Sequence, residues 1–312
     1  MKSILGNPRS ARGFLKHFTT LVDQTENMIS AEKFQEEIDL IITNALREDI
    51  GDGDHSSLAC IPANARGKAK LLVKEAGVLA GVAFARQVFG AVDADLGLQE
   101  EIPDGQAVKP GDIAFYVSGS SRSILQAERL VLNGMQRMSA IATKTRHYVK
   151  LLEGTGAKIL DTRKTTPGIR ALEKWAVRIG GGVNHRFALY DMIMLKDNHI
   201  DFAGGITKAI EKTQAYLKEH DKDLKIIVEA RDLTEVSEIL RSEGIHRILL
   251  DNFSLEQTRE AVRMIGSQCQ SESSGGITEK TLRSYAECGV TFISSGALTH
   301  SVSNLDLSLK AV

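Results

Sequence analysis

Beyond Lys158 the chain alternates short apolar runs with amphipathic stretches, and that alternation narrows the possible folds more than any other feature of the sequence. The strand-like runs are KILDTRK (158–164), MIMLKDNH (192–199), KIIVEAR (225–231), RILLDNF (247–253), QCQSESSGG (268–276) and VTFISSGA (290–297). Helix-forming stretches at 203–219, 233–242, 255–265 and 279–288 lie between them. Strand, helix and strand in succession predict parallel pairing, because a helical crossover returns the chain to the same end of the sheet. Six such runs, with no Gly-rich dinucleotide turn after the first, favour a barrel over a doubly wound sheet.

The polar residues collect at one end of this pattern. Each run is apolar until its last residues, where Asp161, Arg163, Lys164, Lys196, His199, Glu229, Asp251, Asn252, Ser273, Ser274, Ser295 and Gly296 stand. These are C-terminal strand ends, the face on which barrel enzymes keep their sites. Between residues 162 and 186 the bases are Arg163, Lys164, Arg170, Lys174, Arg178 and Arg186, with His185 beside them and Glu173 as the lone acid. A segment so basic in a chain of formal net charge −1 points to a local anion site. Three glycines at 180–182 permit close backbone approach, and two Arg with a His suit a dicarboxylate. Glu229 and Asp251 could pair with Lys164 and Lys196; as a functional pair they would hold Mg²⁺, which takes one or two carboxylates together with water and substrate oxygens. Ser/Gly turns at 271–278 and 294–301 offer backbone N–H groups to a phosphate, as the last two loops of barrels commonly do.

Other function classes lose ground on composition. Aromatic content of 5% and near-neutral charge argue against nucleic acid as a partner. Cys60, Cys269 and Cys288 are widely spaced with no CxxC, which supports neither a disulfide framework nor a zinc site and suggests a reducing, cytoplasmic setting. No apolar run approaches the ~18 residues of a membrane span. At 312 residues two domains are expected. Residues 1–30 read as an N-terminal extension, with Met28 as an alternative start and Ser30 opening an amphipathic helix through Ile38, Ile41, Ile42 and Leu46. Short strands are expected at 69–74, 78–81 and 113–117, then a helix over 123–152 that bridges the domains, with Gly134 as a point of interruption.

Several of these segments, read together, resemble the quinolinate phosphoribosyltransferases, also called nicotinate-nucleotide pyrophosphorylases (carboxylating). They are EDIGDGD (48–54), AERLVLNGMQRMSAIAT (127–143), DTRKTTPGIR (161–170), GGGVNHR (180–186), LKDNHI (195–200), LDNF (250–253), ESSGGI (272–277) and GALTHS (296–301), in family order from about residue 35 to the C-terminus. The resemblance implies an α/β chain of two domains. An N-terminal α/β sandwich would span 31–133, with 302–312 packing back on it, and an open (β/α) barrel-like domain of type II phosphoribosyltransferase fold would span 134–301. It implies transfer of phosphoribosyl from phosphoribosyl pyrophosphate to quinolinate with loss of CO₂, using Mg²⁺. Arg163, His185 and Arg186 would bind the quinolinate carboxylates, and Lys164 and Lys196 would line the junction of the two substrates. Arg129 would reach the quinolinate site of the neighbouring subunit, so a homodimer with shared sites is implied, able to assemble to a hexamer. Glu229 and Asp251 would meet the ribose hydroxyls and Mg²⁺, and Ser274, Gly275, Gly296 and His300 would surround the 5′-phosphate. Ile227 departs from the family, many of whose members have a first acid there. A transferase for nicotinate or another heteroaromatic acid, and a Schiff-base lyase using Lys164 or Lys196, are the alternatives.

Overall fold

The computed structural model describes residues 29–312, so Met28 and most of the expected extension lie outside the described residues. The chain divides into two compact units, one made of residues up to Arg146 with Lys164–Gly181 and Ala297–Val312, the other of His147–Arg163 and Gly182–Gly296.

In the first unit the helix Ala31–Ile50 starts where Ser30 is expected to cap it, the Ser30 hydroxyl accepting the Lys33 N–H at 3.2 Å. Phe34, Ile38 and Ile42 bury its apolar stripe, while Ile41 and Leu46 stay half-buried. Five strands follow: β1 (Arg66–Val73), β2 (Gly77–Val78), β3 (Gly97–Glu100), β4 (Ala107–Val108) and β5 (Ile113–Ser120). An antiparallel sheet runs in the order Leu307–Ala311, β1, β5, β3, so the last strand of the chain pairs with the first. Strands β3 and β4 were not expected from sequence, since GLQE and AV are too short and too polar to signal. The helix Val82–Val92 buries Phe84, Ala85, Val88 and Phe89, and the Phe89 ring meets Phe115 edge-on at 6.0 Å. Asp104 accepts the Val82 and Ala83 N–H groups at 2.8 and 3.2 Å, capping from outside the helix a start that Gly81 cannot cap.

The long helix runs unbroken from Ser121 to Leu151, in place of an interruption at Gly134. A methyl group at 134 would collide with the Phe84 ring, so the glycine serves close packing rather than a break. The expected boundary after residue 133 falls inside this helix, as does the division between the two compact units after Arg146.

The second unit holds β6 (Lys158–Leu160), β7 (Ile193–Leu195), β8 (Ile226–Ala230), β9 (Ile245–Asp251), β10 (Gln270–Ser274) and β11 (Phe292–Ser294). They form one parallel sheet in the order β6-β11-β10-β9-β8-β7, and a bridge from Leu160 to Val183 extends it beyond β6. Among the described residues no pairing joins that bridge to β7, so the barrel is open, as expected. All of these strands except β9 are shorter than their sequence runs because the polar ends leave the sheet as loops; β9 begins two residues before its run, at Ile245. The helix expected at 203–219 runs Ile206–Glu219, and a second helix, Asp197–Ala203, takes up the end of the run read as a strand at 192–199; Gly204 and Gly205, at φ 92° and 116°, part the two. The helix Arg170–Ile179, in the first unit, was hidden by its charges: Leu172, Trp175, Ala176 and Ile179 are buried, and so are Glu173 and Lys174. No helix of the described residues is long and apolar enough to cross a membrane.

Candidate active site

Within the second unit the end of β6 organises a loop. Asp161, fully buried, accepts the His185 N–H at Oδ1 (2.7 Å) and the Asn184 side-chain amide at Oδ2 (2.6 Å). That pins the NHR segment beside Arg163. Asp191 closes the next turn by accepting the Phe187 and Ala188 N–H groups at 2.6 and 2.7 Å. Arg186 lies between these turns, buried to 6% exposure, and donates from Nη1 to the Met192 carbonyl at 3.1 Å. Burial lowers its pKa, the positive charge of Arg163 lowers it further, and Asp191 offsets part of this. Two guanidiniums held near enough to repel each other make a place where a carboxylate is welcome.

His185 is turned inward. Its Nδ1 accepts the Arg186 N–H at 2.7 Å, which leaves the ring proton on Nε2, 3.3 Å from Glu272 Oε2. Glu272 in turn lies 2.9 Å from Arg247 Nη1, and both are buried to 1% exposure or less. Burial pushes the Glu272 carboxyl upward, but His185 and Arg247 outweigh it and hold the pKa at about 2. Arg247 also donates to Gln270 Oε1 at 3.0 Å from Nη2 and lies over the Phe292 ring at 4.1 Å. Sequence reasoning placed Glu272 in a motif but gave it no role, and gave none to Arg247. The available signal was parity: Gln270, Glu272 and Ser274 share a face, and β10's register sets them beside Arg247, Leu249 and Asp251 of β9.

At the next strand ends Lys196 Nζ donates to Glu229 Oε2 at 3.0 Å, and the Asp197 N–H approaches Glu229 Oε1 at 3.4 Å. The pairing weighed from sequence thus forms between Lys196 and Glu229. Glu229 is buried while Lys196 is half-exposed, and His199 Nδ1 accepts the Lys196 N–H at 3.0 Å. Asp251 Oδ2 accepts from Asn252 Nδ2 at 2.8 Å, and the Asn252 N–H donates to the Ser274 carbonyl at 2.9 Å. Asn252 has φ 57° and Gly275 φ 88°; any side chain at 275 would collide with the Asn252 amide. A left-handed non-glycine residue beside a glycine turn is local strain of the kind kept at functional sites. Gly296 follows β11 in the same unit.

Lys164, His300 and Arg129 belong to the first unit. All three are exposed; the Lys164 carbonyl accepts the Thr299 hydroxyl at 2.8 Å, and His300 Nδ1 meets Ser301 Oγ at 2.6 Å.

Glu229 and Asp251 end adjacent parallel strands, and among the described residues no group of three His, Cys, Asp or Glu could hold a metal. Two carboxylates without a third protein ligand fit a hard cation such as Mg²⁺ that keeps waters and substrate oxygens, and do not fit a closed structural site.

The chain is similar to proteins already known. The family model "Quinolinate phosphoribosyl transferase, C-terminal domain" matches residues 141–310, and the corresponding N-terminal domain matches residues 54–139. A quinolinate phosphoribosyltransferase [decarboxylating] of Nicotiana tabacum is 44% identical over 86% of this chain and 81% of its own length. A probable nicotinate-nucleotide pyrophosphorylase [carboxylating] of Bacillus subtilis is 38% identical over 86% and 91%. The crystal structure of NadC from Streptococcus pyogenes superposes with a TM-score of 0.82 at 41% identity, covering 88% of this chain and 97% of the other.

Proposed function

The chain belongs to the quinolinate phosphoribosyltransferase family, and on that footing we propose how its residues carry the family's reaction. The enzyme transfers phosphoribosyl from phosphoribosyl pyrophosphate to quinolinate with decarboxylation, giving nicotinate mononucleotide, pyrophosphate and CO₂, a step of NAD biosynthesis. The observation that carries substrate recognition is the Arg163 and Arg186 pair, whose mutual repulsion a dicarboxylate relieves. His185 stands behind Arg186 and sets its backbone.

Loss of pyrophosphate from C1 builds positive charge on the ribose, which the Glu229 and Asp251 carboxylates stabilise. The quinolinate nitrogen attacks C1, and its alkylation makes the ring cationic. That ring then holds the electron pair released at C2 as the adjacent carboxylate departs as CO₂, and C2 takes up a proton. Lys196 donates to Glu229, an arrangement that suits charge neutralisation at the junction of the two anions better than the part of a Schiff-base nucleophile. Lys164 balances the phosphoryl charge, while Ser274, Gly275, Gly296 and His300 take the 5′-phosphate. Glu229 and Asp251 would hold Mg²⁺, which when bound neutralises charge on the leaving pyrophosphate. A homodimer completes each site with Arg129, exposed on its helix, and hexamers are the larger assembly. The three free cysteines fit a cytoplasmic setting; relatives named chloroplastic in rice and mitochondrial in tobacco make imaging of the full chain the check.

Incubation with quinolinate, phosphoribosyl pyrophosphate and Mg²⁺, with nicotinate in parallel, tests the reaction. Nicotinate mononucleotide and CO₂ in equal amounts from quinolinate, and none from nicotinate, is the expected result. Product from nicotinate alone would move the chain to the other acid.

A further inference from the structure

We propose that Glu173 and Arg137 are positioning residues for the phosphoribosyl half of the reaction, fixing the loop that carries Lys164 to the turn that carries His300. The proposal rests on Lys164 and His300 being contacts of phosphoribosyl pyrophosphate.

Glu173 lies in the first turn of the helix Arg170–Ile179, with its side chain fully buried. One carboxylate gathers four donors. Oε1 accepts from Arg137 Nε at 3.0 Å, Arg137 Nη2 at 2.8 Å and the Thr166 hydroxyl at 2.8 Å, and Oε2 accepts the Thr166 N–H at 3.0 Å. The same Arg137 Nη2 donates to the Thr299 carbonyl. Thr299, fully buried, sends its own hydroxyl to the Lys164 carbonyl at 2.8 Å. A second tie runs from Lys144 Nζ to the Ser301 carbonyl at 2.6 Å. Three segments distant in sequence are thus joined through backbone atoms that flank Lys164 and His300.

A buried ion pair is a poor device for stability alone, since apolar side chains of similar volume often serve as well. This pair does something apolar side chains cannot, because two of its bonds end on backbone groups, the Thr166 N–H and the Thr299 carbonyl, close in the chain to Lys164 and His300. Holding those loops before substrate arrives removes the cost of ordering them on binding. The acid opposing the basic segment in sequence is, in the fold, the anchor of that segment.

The test is steady-state kinetics with each substrate varied in turn. Glu173→Gln is expected to raise the KM for phosphoribosyl pyrophosphate roughly ten- to hundredfold, the scale on which a misplacement of about 1 Å acts, and to leave the quinolinate KM within about twofold. Thr299→Val keeps the ion pair and removes only the link to Lys164, so a smaller shift of the same substrate preference is expected. Arg137→Lys keeps the charge but loses the fork and should fall between them. An unchanged KM for phosphoribosyl pyrophosphate, or a rise shared equally by both substrates, overturns the proposal. Should Glu173→Gln fail to fold, Thr299→Val decides by the same criterion. Lys164→Ala and His300→Ala run alongside. If both raise this KM while Glu173→Gln and Thr299→Val do not, only the positioning role falls; if neither raises it, the assignment of the two contacts falls and takes the positioning role with it.

Discussion

Arg186 is buried with a second guanidinium near it, a carbonyl as its hydrogen-bond partner and Asp191 offsetting only part of the effect, so a further anion would be favoured beside it. Replacing it or Arg163 by Ala removes a charge-assisted partner worth about 1.5 to 3 kcal/mol, and the quinolinate KM should rise about ten- to hundredfold. The KM for phosphoribosyl pyrophosphate should hardly move; equal effects on both substrates would remove the assignment. Glu272 makes a different prediction, because its role is read in stability. Its folded pKa of about 2 lies below the ordinary 4.5, so its ionised form contributes stability that is complete above 4.5 and lost as pH falls toward 2. Glu272→Gln leaves Arg247 without its buried carboxylate, at a cost of about 3 to 5 kcal/mol near neutrality. Urea midpoints of wild type and variant should therefore converge as pH is lowered from 4.5. A gap that stays constant over that range would mean the carboxylate is not ionised against Arg247.

Strand parity decides what each element tolerates. Ile227 pairs in register with Arg247, and Val228 pairs with Ile248 on the opposite face of β8. The acid that the family resemblance leads one to expect at 227 would thus lie on the face of a buried cation, whereas an acid at 228 would enter an apolar layer with no charge in register. Ile227→Glu should cost much less thermal stability than Val228→Glu, and equal melting temperatures would show that register does not govern this layer. The existence of the buried strands, not their parity, was the part of the elements most legible in the sequence. The runs around 226–230 and 245–251 stood out because buried parallel strands are continuously apolar, and the helix Leu255–Ile265 was bounded correctly because Ser254 and Gln257 form a capping box. Elements held by tertiary partners left no such trace: Arg170–Ile179 is helical with buried charges that only Arg137 and its neighbours explain, and Gly134 looks like a break until Phe84 is seen against it.

At the scale of the whole molecule, charge at strand ends was easier to read in the sequence than the bonds that hold the candidate site residues in place. Arg163, Lys196, Glu229 and Asp251 stood out by charge at strand ends and Arg186 by its basic segment, while the partners of Asp161, Glu173, Arg247 and Glu272 lie far along the chain, which no local pattern encodes. Arg129 belongs to neither group. It is exposed on the helix Ser121–Leu151, and its proposed partner is quinolinate bound by another copy of the chain. At quinolinate concentrations well below the raised KM, Arg129→Ala and Arg163→Ala would then each all but silence a site, but from different subunits. In a mixed population half the dimers are hybrids, and each hybrid has one site carrying both substitutions and one carrying neither. About a quarter of wild-type activity should return on mixing two inactive proteins, as two-fold symmetry with random exchange requires. The measurement is activity against mixing ratio, with exchange followed by a size or affinity tag. No recovery in a sample whose hybrids have been isolated would place Arg129 and Arg163 in sites built from a single chain.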